Sequence, residues 1–166
     1  MRDARPADAA AVAGVHVRAW QVGYRGLVAD DHLDGLRAED RAGRYRFAAA
    51  DPDAPATVLA VEDGEVVGFV TTAPSPDAGV PAAGEVLALY VDPASWRRGV
   101  GRRLLAEARA RLAGRGCEVA VLWVLAGNAG AERFYVADGW AADGLRRRQE
   151  LWGVEVDEVR YRRALP

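Results

Sequence analysis

The spacing of hydrophobic positions changes its period along the chain, and each change predicts an element. In "DAAAVAGVHVRAWQVGY" (8–24), Val12, Val15, Ala19 and Val22 recur at three- and four-residue steps, the stripe of an amphipathic helix. Asp8 stands where an N-cap carboxylate belongs. "RAEDRAGRYRFAAA" (37–50) predicts a second helix. The period then shortens. "ATVLAVEDGEVVGFVTTA" (56–73) reads as two strands split by Asp63-Gly64, a hairpin signal. "APSPDAGVPAAG" (73–84), with three prolines and two glycines, is a connection between strands.

"EVLALYVD" (85–92) is a third strand, ended by Pro93. Val100, Leu104, Ala108 and Leu112 then mark a helix over 101–114, stopped by Gly114 and Gly116. "EVAVLWVLA" (118–126) is a nearly unbroken apolar run, the pattern of a buried strand. A short helix follows over 128–139, with Asn128 as a candidate cap and Gly139 as terminator. Two last strands lie in "WAADGLRRRQELWGVEVDEVRYRR". The strand–helix–strand middle fits a parallel crossover and the hairpins fit antiparallel pairing. The fold class is therefore α/β, a mixed sheet around a β-α-β core flanked by helices.

Composition narrows the function. A chain of 166 residues predicts one domain, 1–166. No apolar run approaches the ~18–20 residues of a membrane span, and the N-terminus lacks a secretory pattern, so a cytoplasmic location is expected. Cys117 is the single cysteine, and the only histidines are His16 and His32, so neither a disulfide framework nor a metal site is expected. Net charge is −2, and every one of the 22 basic residues is arginine. Seven arginines fall within 97–115 against one acid, Glu107. That local excess marks either an anionic ligand or a solvated helix face. A nucleic-acid site is disfavoured by the overall charge and by the lack of interleaved aromatics.

The glycines in "WRRGVGRRLL" (96–105) sharpen the choice. Gly99-Val100-Gly101 lies between a strand and a helix, where the first helical N–H groups point outward as a ready anion site. Arg97, Arg98, Arg102 and Arg103 add charge at the rim. A Walker loop is excluded for want of lysine, and a dinucleotide fingerprint fails because position 104 is Leu.

"LYVDPASWRRGVGRRLL", followed after a strand by "N…A..FY...GW", resembles the GCN5-related N-acetyltransferase (GNAT) superfamily, as does "RPADAAAVAGVHVRAWQVGYRGLV" at the start. The resemblance implies a GNAT fold that binds acetyl-CoA, needs no metal, and acetylates an amine on a small molecule or protein. It implies that backbone amides across Arg98, Gly99, Val100, Gly101, Arg102 and Arg103 hold the pyrophosphate of coenzyme A. Trp96 departs from the pattern, standing where relatives carry Gln or Arg, and Arg97 and Arg98 are placed to offset that loss. Backbone groups of Leu89, Tyr90 and Val91 would pair with the pantetheine arm between two parting strands. Asn128 would contact that arm or simply cap its helix. Tyr135 would donate a proton to the departing thiolate, and Glu85 is a candidate general base. Asp30, Asp31 and Asp34, in a predicted loop, are candidates for recognising a cationic acceptor. Trp20 and Tyr24 line the pocket or pack in the core. His16, among valines, reads as packed, and Arg146, Arg147 and Arg148 as solvated. Dimers are common among relatives. A weakly catalytic coenzyme A sensor and a longer acyl donor remain alternatives.

Overall fold

The computed structural model of the chain describes residues 1–47, 54–75 and 82–166. A short strand, β1 (Arg2–Asp3), precedes helices α1 (Ala9–Gly23), α2 (Asp30–Gly35) and α3 (Ala38–Ala42). The hairpin β2 (Ala56–Glu62) and β3 (Glu65–Pro74) leads to β4 (Ala83–Val91). Then come α4 (Val100–Gly114), β5 (Val119–Leu125), α5 (Ala129–Ala137) and the hairpin β6 (Ala141–Leu151) and β7 (Val154–Ala164). From the β2–β3 hairpin onward the order is the one that the periodicity predicts, whereas β1 and α2 are additions to it.

The differences lie in the first third. Of the helix expected over 37–50, only α3 forms, and residues 48–50 lie outside the described residues. Its end has a local cause. After Gly43, "RYRF" alternates polar and apolar, so Tyr45 and Phe47 turn toward the core while Arg44 and Arg46 are exposed. Asp30, Asp31 and Asp34 belong to α2 rather than to a loop. Val22 faces solvent, and the buried side of α1 runs through Val12, Val15, Ala19 and Trp20. Asp8 does not cap α1 with its side chain. Its carboxylate instead accepts from both Arg2 guanidinium nitrogens and from the Arg5 amide, each at 2.7 Å. Those bonds lower its pKa to about 2.

Among the described residues the strands form one sheet in the order β1-β2-β3-β4-β5-β7-β6. Only β4 and β5 run parallel. Helix α4 covers one face, burying Leu104, Leu105 and Leu112 in a cluster with Val70, Val86 and Leu122. Helix α1 covers the other, where Val12 and Val15 pack with Leu59 and Phe69. Burial of this order, at roughly 25 cal/mol per Å² of apolar area, is the main favourable term in such a sandwich.

Gly84 fixes how closely α4 approaches β4. A Cβ there would lie 2.4 Å from Leu112 Cδ2, 3.0 Å from Leu112 Cγ and 3.1 Å from Cys117 Sγ. Leu112 is fully buried, so its side chain would have to shift within the core. Gly84→Ala should therefore cost about 1–3 kcal/mol of stability by overpacking. Urea denaturation of the variant against wild type measures it.

Candidate active site

The parallel ladder between β4 and β5 is four pairs long, from Ala83–Val119 to Val86–Leu122. Both strands continue beyond it, to Val91 and Leu125, without pairing to each other. The cause is local to β4. In the β3–β4 ladder Thr72 faces Val86 and Thr71 faces Ala88, so Leu87 is an extra residue. Such a bulge bends a strand and increases its twist. β4 stays with β3 and β5 stays with β7 along its whole length, so the sheet opens between them. Along β4 the backbone groups of Leu89 and Val91 face this gap, whereas those of Tyr90, expected there from the sequence, pair with Phe69 of β3. Backbone polar groups left without a partner there are costly unless water or a ligand supplies one.

Helix α1 braces the far half of β4. Tyr90 projects into the α1 side, where its hydroxyl accepts from the Trp20 indole N–H at 3.1 Å and lies 3.3 Å from the Tyr24 hydroxyl. Trp20 and Tyr24 are thus structural partners of the strand that borders the gap. The indole N–H of Trp96 donates to the Val91 carbonyl at 2.7 Å, and its backbone N–H donates to the Pro93 carbonyl. The far edge of the Trp96 ring lies beside Gly23, at the end of α1. Both Trp96 donors are therefore used inside the protein, which leaves only its ring for a ligand. Arg18 of α1 pairs with Asp92 at 2.6 Å, completing the brace.

At the mouth of the gap stands the N-terminus of α4. Gly99 is its N-cap, with φ of 79°, a left-handed conformation that favours glycine. No side chain caps the first-turn amides, and no atom lies within 4 Å of where a Gly99 Cβ would sit. The helix start is thus open, with its dipole aimed outward. Of the four flanking arginines, Arg98 and Arg103 are drawn to Glu62 at 3.1 and 2.8 Å. Arg97 and Arg102 have no carboxylate partner among the described residues. Phe134 of α5 packs near Gly101 and Val91, so α4, α5 and β4 converge here.

Tyr135 is buried in the core cluster beside Phe134 and Trp140. Burial raises its pKa, and the nearby Tyr90 adds to the shift, so the phenol keeps its proton. Its hydroxyl has no hydrogen-bond partner among the described residues. Asn128 caps α5, its Oδ1 accepting from the Ala131 amide at 3.1 Å.

Glu85 is 7% exposed, inside the sheet between Ala73 of β3 and Val121 of β5. Val86 points to α4, so Glu85 points to the α1 face. Burial raises its pKa; the Arg147 charge opposes the shift and Glu158 reinforces it. Glu158, in β7, was not singled out in the sequence. It is 6% exposed and accepts from Arg147 Nε at 2.7 Å and Gln149 Nε2 at 2.6 Å. Its charge also reaches Tyr24 and Tyr90. The signal for it is the period-two alternation of "VDEVR", which sets Glu158 on the face of Val156. Arg147, expected in solvent, lies 4.1 Å over the Trp123 ring as well as on Glu158.

The remaining sequence candidates are spent elsewhere. Asp30 and Asp34 both pair with the exposed Arg25. His16 is buried among Tyr90, Trp152 and Phe69 rings, with Nδ1 bonded to the Tyr45 hydroxyl. Burial holds its pKa well below the usual imidazole value, so the ring is neutral. No helix of the described residues is long and apolar enough to cross a membrane.

The Glu85 environment predicts a pH-dependent stability change. A carboxyl whose folded pKa is raised favours the folded state most below its ordinary value of 4.5, and loses that advantage as pH rises. Glu85→Gln carries no charge to bury. Its melting temperature should exceed that of wild type increasingly above pH ~4.5, with the difference levelling off past the raised pKa. Calorimetry across pH 4 to 8 checks this, and a constant difference would contradict the burial of charge.

Comparison with known proteins places these features in one family. A family model described as "Acetyltransferase (GNAT) family" matches residues 20–140. The uncharacterized N-acetyltransferase YuaI of Bacillus subtilis is 27% identical over 168 residues, covering 96% of this chain and 89% of that protein. The PaiA N-acetyltransferase of Thermoplasma acidophilum, solved in complex with coenzyme A, superposes with a TM-score of 0.76 at 17% identity, covering 98% and 96% of the two chains. YncA of Salmonella typhimurium, solved with acetyl-CoA, gives 0.71 at 22% identity, covering 99% and 92%. With a sheet opened between its parallel strands beside an uncapped glycine-led helix, the chain belongs to the GNAT family of acetyltransferases.

Proposed function

We propose that this acetyl-CoA-dependent N-acetyltransferase holds its cosubstrate along the β4 edge, with the pyrophosphate on the α4 N-terminus. The observation that carries the reading is the parting of β4 from β5 after Val86–Leu122, which leads straight to the open helix start at Gly99. An elongated ligand with amides along its arm and phosphates at its far end matches those two features in order. The amides of Gly99 through Arg103 serve the phosphates, with Arg97 and Arg102 as the free cations at the rim. Leu89 offers its backbone N–H and carbonyl to the arm and Val91 its N–H, the Val91 carbonyl being taken by Trp96. The Asn128 carbonyl oxygen is committed to its cap, so its NH₂ group is what reaches the ligand.

Acetyl-CoA supplies an acyl carbon activated by a thiol leaving group. An amine with pKa near ~10.4 must first lose a proton to attack it. Glu85, with its pKa raised by burial, accepts that proton at neutral pH better than an ordinary glutamate. A β4 backbone N–H opposes the negative charge that develops on the carbonyl oxygen. As nitrogen bonds to the carbonyl carbon, the carbon–sulfur bond breaks, its electron pair leaves with sulfur, and the nitrogen releases its second proton to solvent. Tyr135 is a weaker acid than a free thiol, near ~8.5. It therefore assists by donating a hydrogen bond to the developing thiolate, and solvent completes the protonation. No covalent acyl-enzyme is needed, and Cys117 stays out of the chemistry.

Three measurements test this. Release of free thiol from acetyl-CoA across a panel of amines should depend on the amine. Gly99→Asp, which adds a carboxylate at the open helix start, should raise the Kd for acetyl-CoA at least about tenfold. Unaltered affinity would remove the pyrophosphate site from Gly99. Tyr135→Phe should lower kcat by about 10²-fold with little change in that Kd. An undiminished kcat would leave Tyr135 a packing residue.

A further inference from the structure

The face of the sheet opposite α4 holds a cavity of about 370 Å³. It meets β4 at Leu87 and Ala88, the bulge residues where β4 leaves β5. Its body is apolar, with Tyr45, Phe47 and Phe69 as aromatic walls. Its charged side chains are Arg44 and Arg46, and no carboxylate lines it. Neither arginine has an ion-pair partner among the described residues. His16 lines the same cavity, and its Nε2 is buried without a hydrogen-bond partner. Being neutral, His16 adds no charge of its own. Arg44 also borders a neighbouring cavity of about 320 Å³, where Arg41 lies 3.5 Å over the Trp152 ring and Glu150 is the one lining carboxylate among the described residues.

This charge pattern runs against a cationic acceptor. Of the three aspartates that the sequence offers for one, Asp30, Asp31 and Asp34, the first and last pair with Arg25, and none of the three lines either cavity. A polyamine would meet two guanidinium groups that have no carboxylate partner among the described residues in the larger cavity. An anion would meet planar donor forks that suit carboxylate or phosphate oxygens. We propose that this cavity is the acceptor site, and that it selects a small amine whose apolar, ring-bearing body carries an anionic group away from the nitrogen. The inference rests on the transferase reading above and adds the acceptor class to it. In this pose the body lies against Phe69 and Tyr45, the anion lies at Arg44 and Arg46, and the amine reaches the β4 bulge beside the gap.

The test uses the full chain and four amines on one benzyl scaffold: benzylamine, 4-(aminomethyl)benzoate, 4-(aminomethyl)phenylphosphonate and 1,4-bis(aminomethyl)benzene. The benzoate and phosphonate arms separate the two anion sources. Thiol release gives kcat/KM for each, and tryptophan fluorescence gives binding independent of turnover. Either anionic amine should exceed benzylamine by about tenfold in kcat/KM, with the dication slowest. The double variant Arg44→Glu/Arg46→Glu should invert that order toward the dication, an outcome that mere loss of structure does not produce. An equal or faster rate with benzylamine or the dication in wild type overturns the proposal, as does an anion preference that survives the double variant. If acetyl-CoA binds but no amine is turned over, the transferase reading fails. In that case anion-selective binding lost in the double variant still supports the cavity, and its absence rejects it.

Discussion

The structure turns on a parallel ladder that stops after four pairs. A strand leaving its neighbour in mid-sheet gives up backbone hydrogen bonds and exposes polar edges, and it persists only if other contacts hold it. Here α1 provides them. Trp20 and Tyr24 fix the Tyr90 hydroxyl, Trp96 joins the Val91 carbonyl to the end of α1, and Arg18 holds Asp92. On the opposite face α4 is clamped to the paired half of β4 through Gly84. The gap is therefore held from both faces, by α1 on one and α4 on the other.

Charge is organised around the same gap. A protein whose only basic side chain is arginine has planar, permanently charged forks everywhere, and the fold decides which are free. Glu62 takes up Arg98 and Arg103, Asp138 takes up Arg109 and Arg163, and Asp143 takes up the buried Arg160. Arg97 and Arg102 are left at the helix mouth. The interior shows the reverse arrangement. Glu85 and Glu158 are both buried on the α1 face, with Arg147 facing them. Burial raises the Glu85 pKa, the Glu158 charge adds to the rise, and the Arg147 charge opposes it.

Elements with an unambiguous period were legible in the sequence. The Asp63-Gly64 hairpin, α4, β5 and the Asn128 cap all stand where periodicity and turn chemistry put them. The gap itself was not, except through family resemblance. A bulge at Leu87 adds one residue to one strand and leaves no mark on composition. Glu158 was hidden for a related reason. β7 is covered on both faces, Tyr161 on one and Val156 on the other, so its acid did not stand out from an alternating, polar-looking strand. α3 was overestimated because "RYRF" fits a helical composition while its alternation favours an extended chain. The acidic cluster at 30–34 misled because its partner, Arg25, lies across a turn that the sequence does not reveal.

Trp96 shows why a departure from a motif need not break the site that the motif marks. At that position relatives present a polar side chain, and this chain presents an indole whose N–H is turned inward to the Val91 carbonyl. The substitution converts a candidate ligand contact into a brace for the strand. The first-turn amides of α4 stay open because Gly99 orders the helix start and no side chain caps it, and the residue at position 96 does not alter them. Arg97 and Arg102, beside that turn, have no carboxylate partner among the described residues. Side-chain identity at the turn thus tunes the site, whereas the φ of one glycine and the end of one ladder make it.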